Sequence, residues 1–281
     1  MIVFLEDALR DGKKALREAG IDSWSIDGDV LMSHALRMRK ESLITENRRV
    51  LSTAELEQFS THIEKRRKLM PVAYIISHIE FMSLDFFVDE SVLIPRPDTE
   101  ILVEAAIEHI NKSGAKTVLD MCTGSGSIAI SVAHYCPQIK VSAADISQAA
   151  LKVAKKNADK NGVRIKFTLS DMFESIEGNF DIILSNPPYI SGQEMTELPD
   201  NVSKYEPHLA LFGGDDGLEF YRRLAKSGEY LCEEGVIITE IGAYQKYAIV
   251  EIFRKAGFYL RSAFKDLSGL DRTLIFGKNI R

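Results

Sequence analysis

A strand pattern gives way to a glycine-rich turn at residues 117–126, which read Thr117-Val118-Leu119-Asp120-Met121-Cys122-Thr123-Gly124-Ser125-Gly126. The helical pattern of Ile128–Tyr135 comes after the glycines. Glycines at a strand-to-helix turn allow backbone N–H groups to approach a ligand closely. The stretch therefore predicts an α/β fold that holds a nucleotide-type cofactor at this turn.

Strands and helices alternate on the C-terminal side of this turn, which predicts a mostly parallel sheet covered on both faces. The last predicted elements, from about Phe258 to Gly277, are two closing strands joined by a loop that contains Ser268-Gly269. The other predicted strands are Thr117–Met121, Lys140–Ala144, Ile165–Leu169, Phe180–Ser185 and Val236–Glu240, with helices at Ile128–Tyr135, Ala149–Asn161 and Tyr221–Cys232.

Three domains or segments follow from the patterns along the chain. Residues 1–73 predict a small helical domain, in which Ser52-Thr53-Ala54-Glu55 is a capping box. Residues 74–94 are rich in β-branched and aromatic residues and predict a β-hairpin connector. Residues 95–281 predict the α/β domain, which opens with the helix-start signal Pro95-Arg96-Pro97-Asp98-Thr99-Glu100. Capping does not explain Arg96.

Carboxylates end the predicted strands around the glycine turn. Asp145 lies nineteen residues after Gly126, where it can accept hydrogen bonds from both hydroxyls of a ribose. These features also fit a nicotinamide cofactor, but no Lys-Ser or Lys-Thr follows the glycines, which excludes a phosphate-binding NTPase loop. Two features favour S-adenosylmethionine. Asp120 suits its α-ammonium group, and Asp171-Met172-Phe173 ends the third strand of the α/β domain, where an adenine edge would lie. An acidic cap of the next turn is the alternative for Asp171.

A second polar segment, Asn186-Pro187-Pro188-Tyr189, follows the buried-strand pattern of Phe180–Ser185. Ligands of open α/β sheets bind at the carboxyl ends of strands, and consecutive prolines leave backbone carbonyls unpaired. The Asn186 amide, these carbonyls and the ring of Tyr189 together suit a planar group that carries an NH₂. A proline-rich turn capped by asparagine is the alternative reading.

Composition limits the class of protein. The 281 residues have a net charge of −6, which weighs against a general nucleic-acid binder. No apolar run is long enough to span a membrane and no signal peptide is evident, so we expect a cytoplasmic protein. The scattered Cys122, Cys136 and Cys232 predict neither a disulfide framework nor a metal site.

Taken in order, these segments resemble those of the class I methyltransferases that methylate planar nitrogen. Further motifs narrow the resemblance to the peptide chain release factor N5-glutamine methyltransferases, over nearly the whole chain. These motifs are Pro95–Glu100, Arg66-Arg67 with Pro71–Ile75, and Tyr205-Glu206-Pro207 followed by Gly213-Gly214-Asp215-Asp216-Gly217-Leu218. The resemblance implies a seven-stranded Rossmann-like sheet and methyl transfer from S-adenosylmethionine to the glutamine of a Gly-Gly-Gln motif.

The same resemblance implies the site residues. Cofactor contacts fall on Cys122, Thr123, Gly124, Ser125, Gly126, Asp145, Met172 and Asn186, and substrate contacts fall on Asn186, Pro187, Pro188 and Tyr189. Three features depart from the family pattern: Cys122 stands where many relatives have glycine, Met172 replaces a frequent aromatic residue, and Ser77 and Ser83 occupy hairpin positions that are often glycine.

Three other functions stay open at this point. A ribosomal protein presents the same glutamine amide as a release factor, so the sequence does not separate the two substrates. The Asn-Pro-Pro-Tyr motif also occurs in adenine-N6 nucleic-acid methyltransferases, and a non-catalytic module could bind both cofactor and partner. We expect a monomer that needs no metal and binds release factors rather than nucleic acid directly.

Overall fold

The computed structural model describes residues 2–278 and divides into two compact units. The first contains the residues up to Ser77 together with Pro199–Tyr205, and the second contains His78–Leu198 and the residues from Glu206 onward. The α-helices are α1 Leu5–Glu18, α2 Trp24–Leu36, α3 Lys40–Thr45, α4 Thr53–Arg67, α5 Val72–Ile76, α6 Glu100–Ser113, α7 Ser127–Tyr135, α8 Gln148–Lys160, α9 Gly192–Met195, α10 Asp200–Ser203, α11 Glu219–Leu224 and α12 Lys246–Lys255. The strands are β1 Ile79–Phe81, β2 Leu84–Phe86, β3 Thr117–Met121, β4 Lys140–Asp145, β5 Ile165–Leu169, β6 Phe180–Ser185, β7 Leu231–Glu240, β8 Phe258–Lys265 and β9 Asp271–Lys278.

Helices build the first unit, around a core that includes Leu16, Leu31 and Phe59. The Ser52 side chain accepts a hydrogen bond from the backbone N–H of Glu55, and the Glu55 carboxylate accepts one from the Ser52 N–H. Both halves of the predicted capping box are thus present at the start of α4.

A seven-stranded sheet forms the centre of the second unit, in the order β5-β4-β3-β6-β7-β9-β8. The first five strands of this order are parallel, and β9 runs antiparallel to both neighbours. The apolar residues of the central strands are buried because helices cover both faces. The predicted class I methyltransferase sheet is confirmed, and it aligns the carboxyl ends of β3, β4, β6 and β7 along one edge.

Two predicted segments have a different structure. Tyr74–Ile76, which the sequence analysis included in the hairpin, form the end of α5, and only β1 and β2 pair as a hairpin. The predicted helix Tyr221–Cys232 ends at Leu224, and Leu231 and Cys232 belong to β7. A 3₁₀ turn at Ser227–Tyr230, which contains a glycine, separates the two elements. Whether the chain functions as the three predicted domains stays a prediction.

Both serines at positions that are often glycine adopt the conformation that glycine favours, but Ser77 lies at the end of α5 and not in the hairpin, whose turn contains Ser83. Ser77 has a φ angle of 52° and Ser83 has a φ angle of 56°. The chain therefore keeps the backbone of its turns at a small steric cost to these side chains. In residues 2–278 no helix is both long and apolar enough to cross a membrane.

Candidate active site

A cleft opens at the carboxyl edge of the sheet and includes about 1110 Å³ of space together with its mouth. Most of the predicted site residues line this cleft. They are Cys122, Thr123, Gly124, Ser125, Asp145, Asp171, Met172, Asn186 and Pro188. Four other predicted residues are not among those that line it: Asp120, Gly126, Pro187 and Tyr189.

The glycine turn after β3 needs its glycines for two different reasons. Gly126 has a φ angle of 83°, and a Cβ atom there would lie 2.9 Å from Ile130 Cδ1 and 3.1 Å from Ala154 Cβ. Gly124 has a φ angle of 54°, but a Cβ atom there would meet nothing within 4 Å. Gly126 thus lets α7 pack against α8, and Gly124 leaves open space where a ligand can reach the backbone.

Asp145 fixes the glycine turn from the neighbouring strand. Its Oδ2 accepts a hydrogen bond from the Gly124 N–H at 2.8 Å, and its Oδ1 accepts one from the Ser147 N–H at 2.8 Å. Burial raises the pKa of this carboxyl group, and the backbone donors act in the opposite direction. The carboxylate is therefore held rigidly at the cleft wall with acceptor capacity left for a ligand.

Asp120 is fully buried beneath the turn. Its Oδ2 accepts hydrogen bonds from the Thr123 hydroxyl at 2.5 Å and from the Ala129 N–H at 3.2 Å, while Oδ1 has no partner among the described residues. Burial raises its pKa to about 7. A buried carboxyl oxygen without a donor fits a nearby cationic group of a ligand, which would favour the ionised form.

Cys122 and Met172 face each other across the cleft wall, with Sγ and Sδ 3.9 Å apart. Both have φ angles in the left-handed region, 64° for Cys122 and 49° for Met172. Next to Met172, the Asp171 carboxylate forms an ion pair with Arg223 at 2.6 Å. Arg223 was not predicted from the sequence, because only the fold brings α11 to the end of β5.

The Asn186 amide is oriented by a threonine. Its Nδ2 donates a hydrogen bond to Thr99 Oγ1 at 3.3 Å. The amide oxygen is thereby turned away from Thr99, on a residue that lines the cleft. No described residue donates a backbone or side-chain hydrogen bond to the carbonyls of Pro187 or Pro188. An amide oxygen and free carbonyls are the acceptors that an NH₂ group requires.

The rest of the Asn-Pro-Pro-Tyr loop is supported from behind. Gln245 Nε2 donates to the Tyr189 carbonyl at 2.8 Å, and the Tyr189 hydroxyl lies 3.5 Å from the buried Glu240 carboxylate. Gly213 is buried against the loop and its N–H donates to the Ile190 carbonyl at 2.8 Å. A glycine of the motif after Tyr205-Glu206-Pro207 therefore supports this loop by close packing and a backbone hydrogen bond.

Arg96 has a structural partner that explains its position between two prolines. Its guanidinium forms an ion pair with Glu206, whose side chain is only 1% exposed. Glu206 also accepts a hydrogen bond from the Ile94 N–H at 3.3 Å. The pair fastens the segment before α6 to the segment after α10, and Arg96 and Pro207 both line the cleft.

These residues fit S-adenosylmethionine by the chemistry of their donor and acceptor atoms. The open space over Gly124, the fixed carboxylate of Asp145 and the unpartnered Oδ1 of Asp120 match a ribose and a cationic amino-acid group. In residues 2–278 no cluster of three or more histidine, cysteine or acidic side chains could hold a metal ion.

Comparisons with known proteins agree on one family. Residues 98–202 match the family model described as Methyltransferase small domain, and residues 7–76 match the PrmC N-terminal domain. A release factor glutamine methyltransferase from Clostridium acetobutylicum is 40% identical over 277 residues, which cover 96% of this chain and 97% of that protein. One from Clostridium botulinum is 37% identical, with coverages of 97% and 98%.

A solved methyltransferase structure from Pyrococcus furiosus shares the fold. It has a TM-score of 0.53 and 20% identity, and the match covers 70% of this chain and 90% of that chain. The two sequence relatives are 40% and 37% identical to this chain over nearly their full lengths, whereas the solved structure that shares its fold is 20% identical. The chain belongs to the release factor glutamine methyltransferase family.

Proposed function

We propose that this protein transfers the methyl group of S-adenosylmethionine to the side-chain amide nitrogen, N5, of the glutamine in the Gly-Gly-Gln motif of peptide chain release factors. The names of its relatives support the release factor as substrate. The observation that carries the chemistry is the orientation of Asn186, whose amide nitrogen is bound to Thr99. Its amide oxygen is left to accept a hydrogen bond from a substrate NH₂.

Cofactor binding is assigned to the cleft wall around the glycine turn. We assign the ribose to Asp145, the α-ammonium group to Asp120, and the adenine to the region of Asp171 and Met172, whose thioether suits an aromatic ring. Cys122, Thr123, Gly124 and Ser125 line the same wall, and Gly126 lets α7 pack beneath it. When bound, the cofactor supplies a methyl group on a positively charged sulfur.

The substrate amide is a poor nucleophile because its nitrogen lone pair is delocalised into the carbonyl group. The chain's own residues therefore have to orient this nitrogen and to stabilise the positive charge that it gains. Asn186 Oδ1 and the Pro187 carbonyl are the acceptors for its two N–H bonds. As the substrate nitrogen takes the methyl group, these two acceptors would hold its N–H bonds, and the nitrogen would then release one proton to water. The electron pair of the broken carbon–sulfur bond would stay on the sulfur of the cofactor.

Asp145→Asn should weaken cofactor binding about tenfold or more, since an NH₂ group would replace one of two acceptor oxygens beside the Gly124 and Ser147 N–H groups. Isothermal titration calorimetry with S-adenosylmethionine measures the change. Asp159→Asn is the matched control, because Asp159 is exposed on α8. Equal affinities for the two variants would contradict the assignment of the ribose to Asp145.

The choice of substrate is tested by offering each candidate substrate to the protein separately. Labelled S-adenosylmethionine is incubated with the protein and, in separate reactions, with a release factor, ribosomal proteins and DNA. We expect label on the release factor. Label on a ribosomal protein alone would identify the second candidate substrate, which has the same amide, and label on DNA alone would reject glutamine methylation.

We further propose that the protein acts as a cytoplasmic monomer, which sedimentation and fractionation would test.

A further inference from the structure

A chain of buried polar groups continues behind Asn186. Thr99, whose hydroxyl oxygen accepts a hydrogen bond from Asn186 Nδ2, is 3% exposed. It is the last residue of the 3₁₀ turn Pro97–Thr99 before α6. Glu240, the last residue of β7, is 2% exposed. Ser185 of β6 pairs with Thr239 of β7 in the sheet. The next residues, Asn186 and Glu240, therefore lie side by side at the carboxyl ends of two adjacent parallel strands. The three side chains thus come from separate segments that meet at one edge of the sheet.

The direction of the hydrogen bonds along this chain can be worked out from donor capacity. Thr99 Oγ1 accepts from Asn186 Nδ2, so the Thr99 hydroxyl proton needs another acceptor. An ionised carboxylate only accepts hydrogen bonds, and burial raises the pKa of the Glu240 carboxyl group while the Thr99 side chain acts in the opposite direction. Glu240 Oε2 is buried and has no hydrogen-bond partner in the described part of the chain, so it can accept one more hydrogen bond.

From this arrangement we propose that Thr99 and Glu240 are positioning residues that set the polarity of the catalytic amide. The Glu240 carboxylate accepts a hydrogen bond from the Thr99 hydroxyl, whose proton stays on Thr99, so Thr99 can only accept from Asn186. The Asn186 amide is then held with its NH₂ towards Thr99 and its oxygen towards the substrate nitrogen. This inference rests on the proposed function and gives a role to the Thr99 side chain, which makes no capping hydrogen bond at the start of α6.

Protonation of Glu240 would reverse this order. Burial raises the pKa of Glu240 to about 7, an effect that Asp98 strengthens and that Thr99, Arg272 and Tyr189 oppose. The Tyr221 hydroxyl also approaches, but it donates to the Glu240 backbone carbonyl at 3.0 Å. A neutral Glu240 can donate to Thr99, and Thr99 can then donate to Asn186 Oδ1. We therefore expect turnover to fall as the pH drops through about 7.

Substitution of Thr99 tests the proposal with a conservative rescue. Thr99→Val removes the hydroxyl group at nearly constant volume, and it should lower kcat about tenfold to a hundredfold with little change in cofactor affinity. Thr99→Ser keeps the hydroxyl group and should retain most of the activity. Near-normal kcat in Thr99→Val, or an equal loss in both variants, would overturn the role of the Thr99 hydroxyl.

Two further measurements separate this inference from the proposed function. Glu240→Gln can still accept from Thr99 but cannot titrate, so the decline of kcat below about pH 7 should disappear; an unchanged pH profile would overturn the role of Glu240. Independently of activity, the side-chain NH₂ resonances of Asn186 in ¹⁵N-labelled protein should shift in Thr99→Val and stay in place in Thr99→Ser. Wild-type protein that methylates no glutamine would reject the proposed function, while the resonances would still decide the orientation of Asn186.

Discussion

Asn186→Ala is expected to lower the rate of glutamine methylation by at least about a hundredfold, the usual cost of a lost transition-state acceptor or donor. The substitution removes the oxygen that Thr99 turns towards the cleft, so the substrate nitrogen loses one of its two acceptors. The loss should appear in kcat, because this hydrogen bond strengthens as the nitrogen becomes positive. Single-turnover kinetics with a release factor measures it.

A matched control for this variant lies at the other end of β6. Asn179 precedes that strand, is exposed, and donates only to the Glu229 carbonyl at 2.6 Å. We expect Asn179→Ala to keep normal turnover, and we expect calorimetry to give Asn186→Ala a cofactor affinity close to that of the wild type. Near-normal turnover of Asn186→Ala would reject the model in which this amide binds the substrate.

Gly213→Ala is expected to reduce turnover by a similar factor, about a hundredfold, although Gly213 does not line the cleft. A Cβ atom at Gly213 would lie 2.7 Å from the Pro188 carbonyl oxygen and 2.7 Å from Tyr189 Cα. Both are backbone atoms, so the loop has to move by several tenths of an ångström or more. This loop carries the proline carbonyls that are proposed to bind the substrate amide. A displacement of that size should therefore slow methyl transfer, because the reacting atoms have to be closely aligned.

Gly228→Ala provides the control for the glycine variant, since its nearest neighbour would be Phe258 Cζ at 4.0 Å. Methylation assays and thermal unfolding of both variants distinguish a displaced loop from a destabilised protein. We expect Gly213→Ala to remain folded and to bind cofactor while turnover falls. Full activity of a folded Gly213→Ala protein would show that the Asn-Pro-Pro-Tyr loop does not depend on this close packing.

β3 and β6 were predictable because their composition reflects burial on both faces, and the edge strand β5 because apolar and polar residues alternate along it. The bounds of Thr117–Met121, Ile165–Leu169 and Phe180–Ser185 agree between sequence and structure, since each apolar run has polar or glycine-containing flanks. The helix predicted at Tyr221–Cys232 was wrong at its end, because Leu231 is apolar in either kind of element. Only the pairing of Leu231 with Phe180 in the sheet decides between them.

The candidate site was predictable where its residues are close in sequence and not where distant segments meet. The glycine turn and the Asn-Pro-Pro-Tyr loop are continuous, so their spacing after a strand reveals them. Thr99 and Asn186 are 87 positions apart, and Arg96 and Glu206 are 110 apart. A carboxylate that ends a buried strand was a usable signal for Glu240, but its partners follow only from the order of the strands.

The most direct measurement is tandem mass spectrometry of a release factor after incubation with this protein and S-adenosylmethionine. The account predicts one added methyl group, located on the side-chain nitrogen of the Gly-Gly-Gln glutamine and formed at least about a hundredfold more slowly when Asn186→Ala replaces the wild type. A methyl group on another residue, or an unmodified release factor in the presence of folded, cofactor-binding protein, would contradict it.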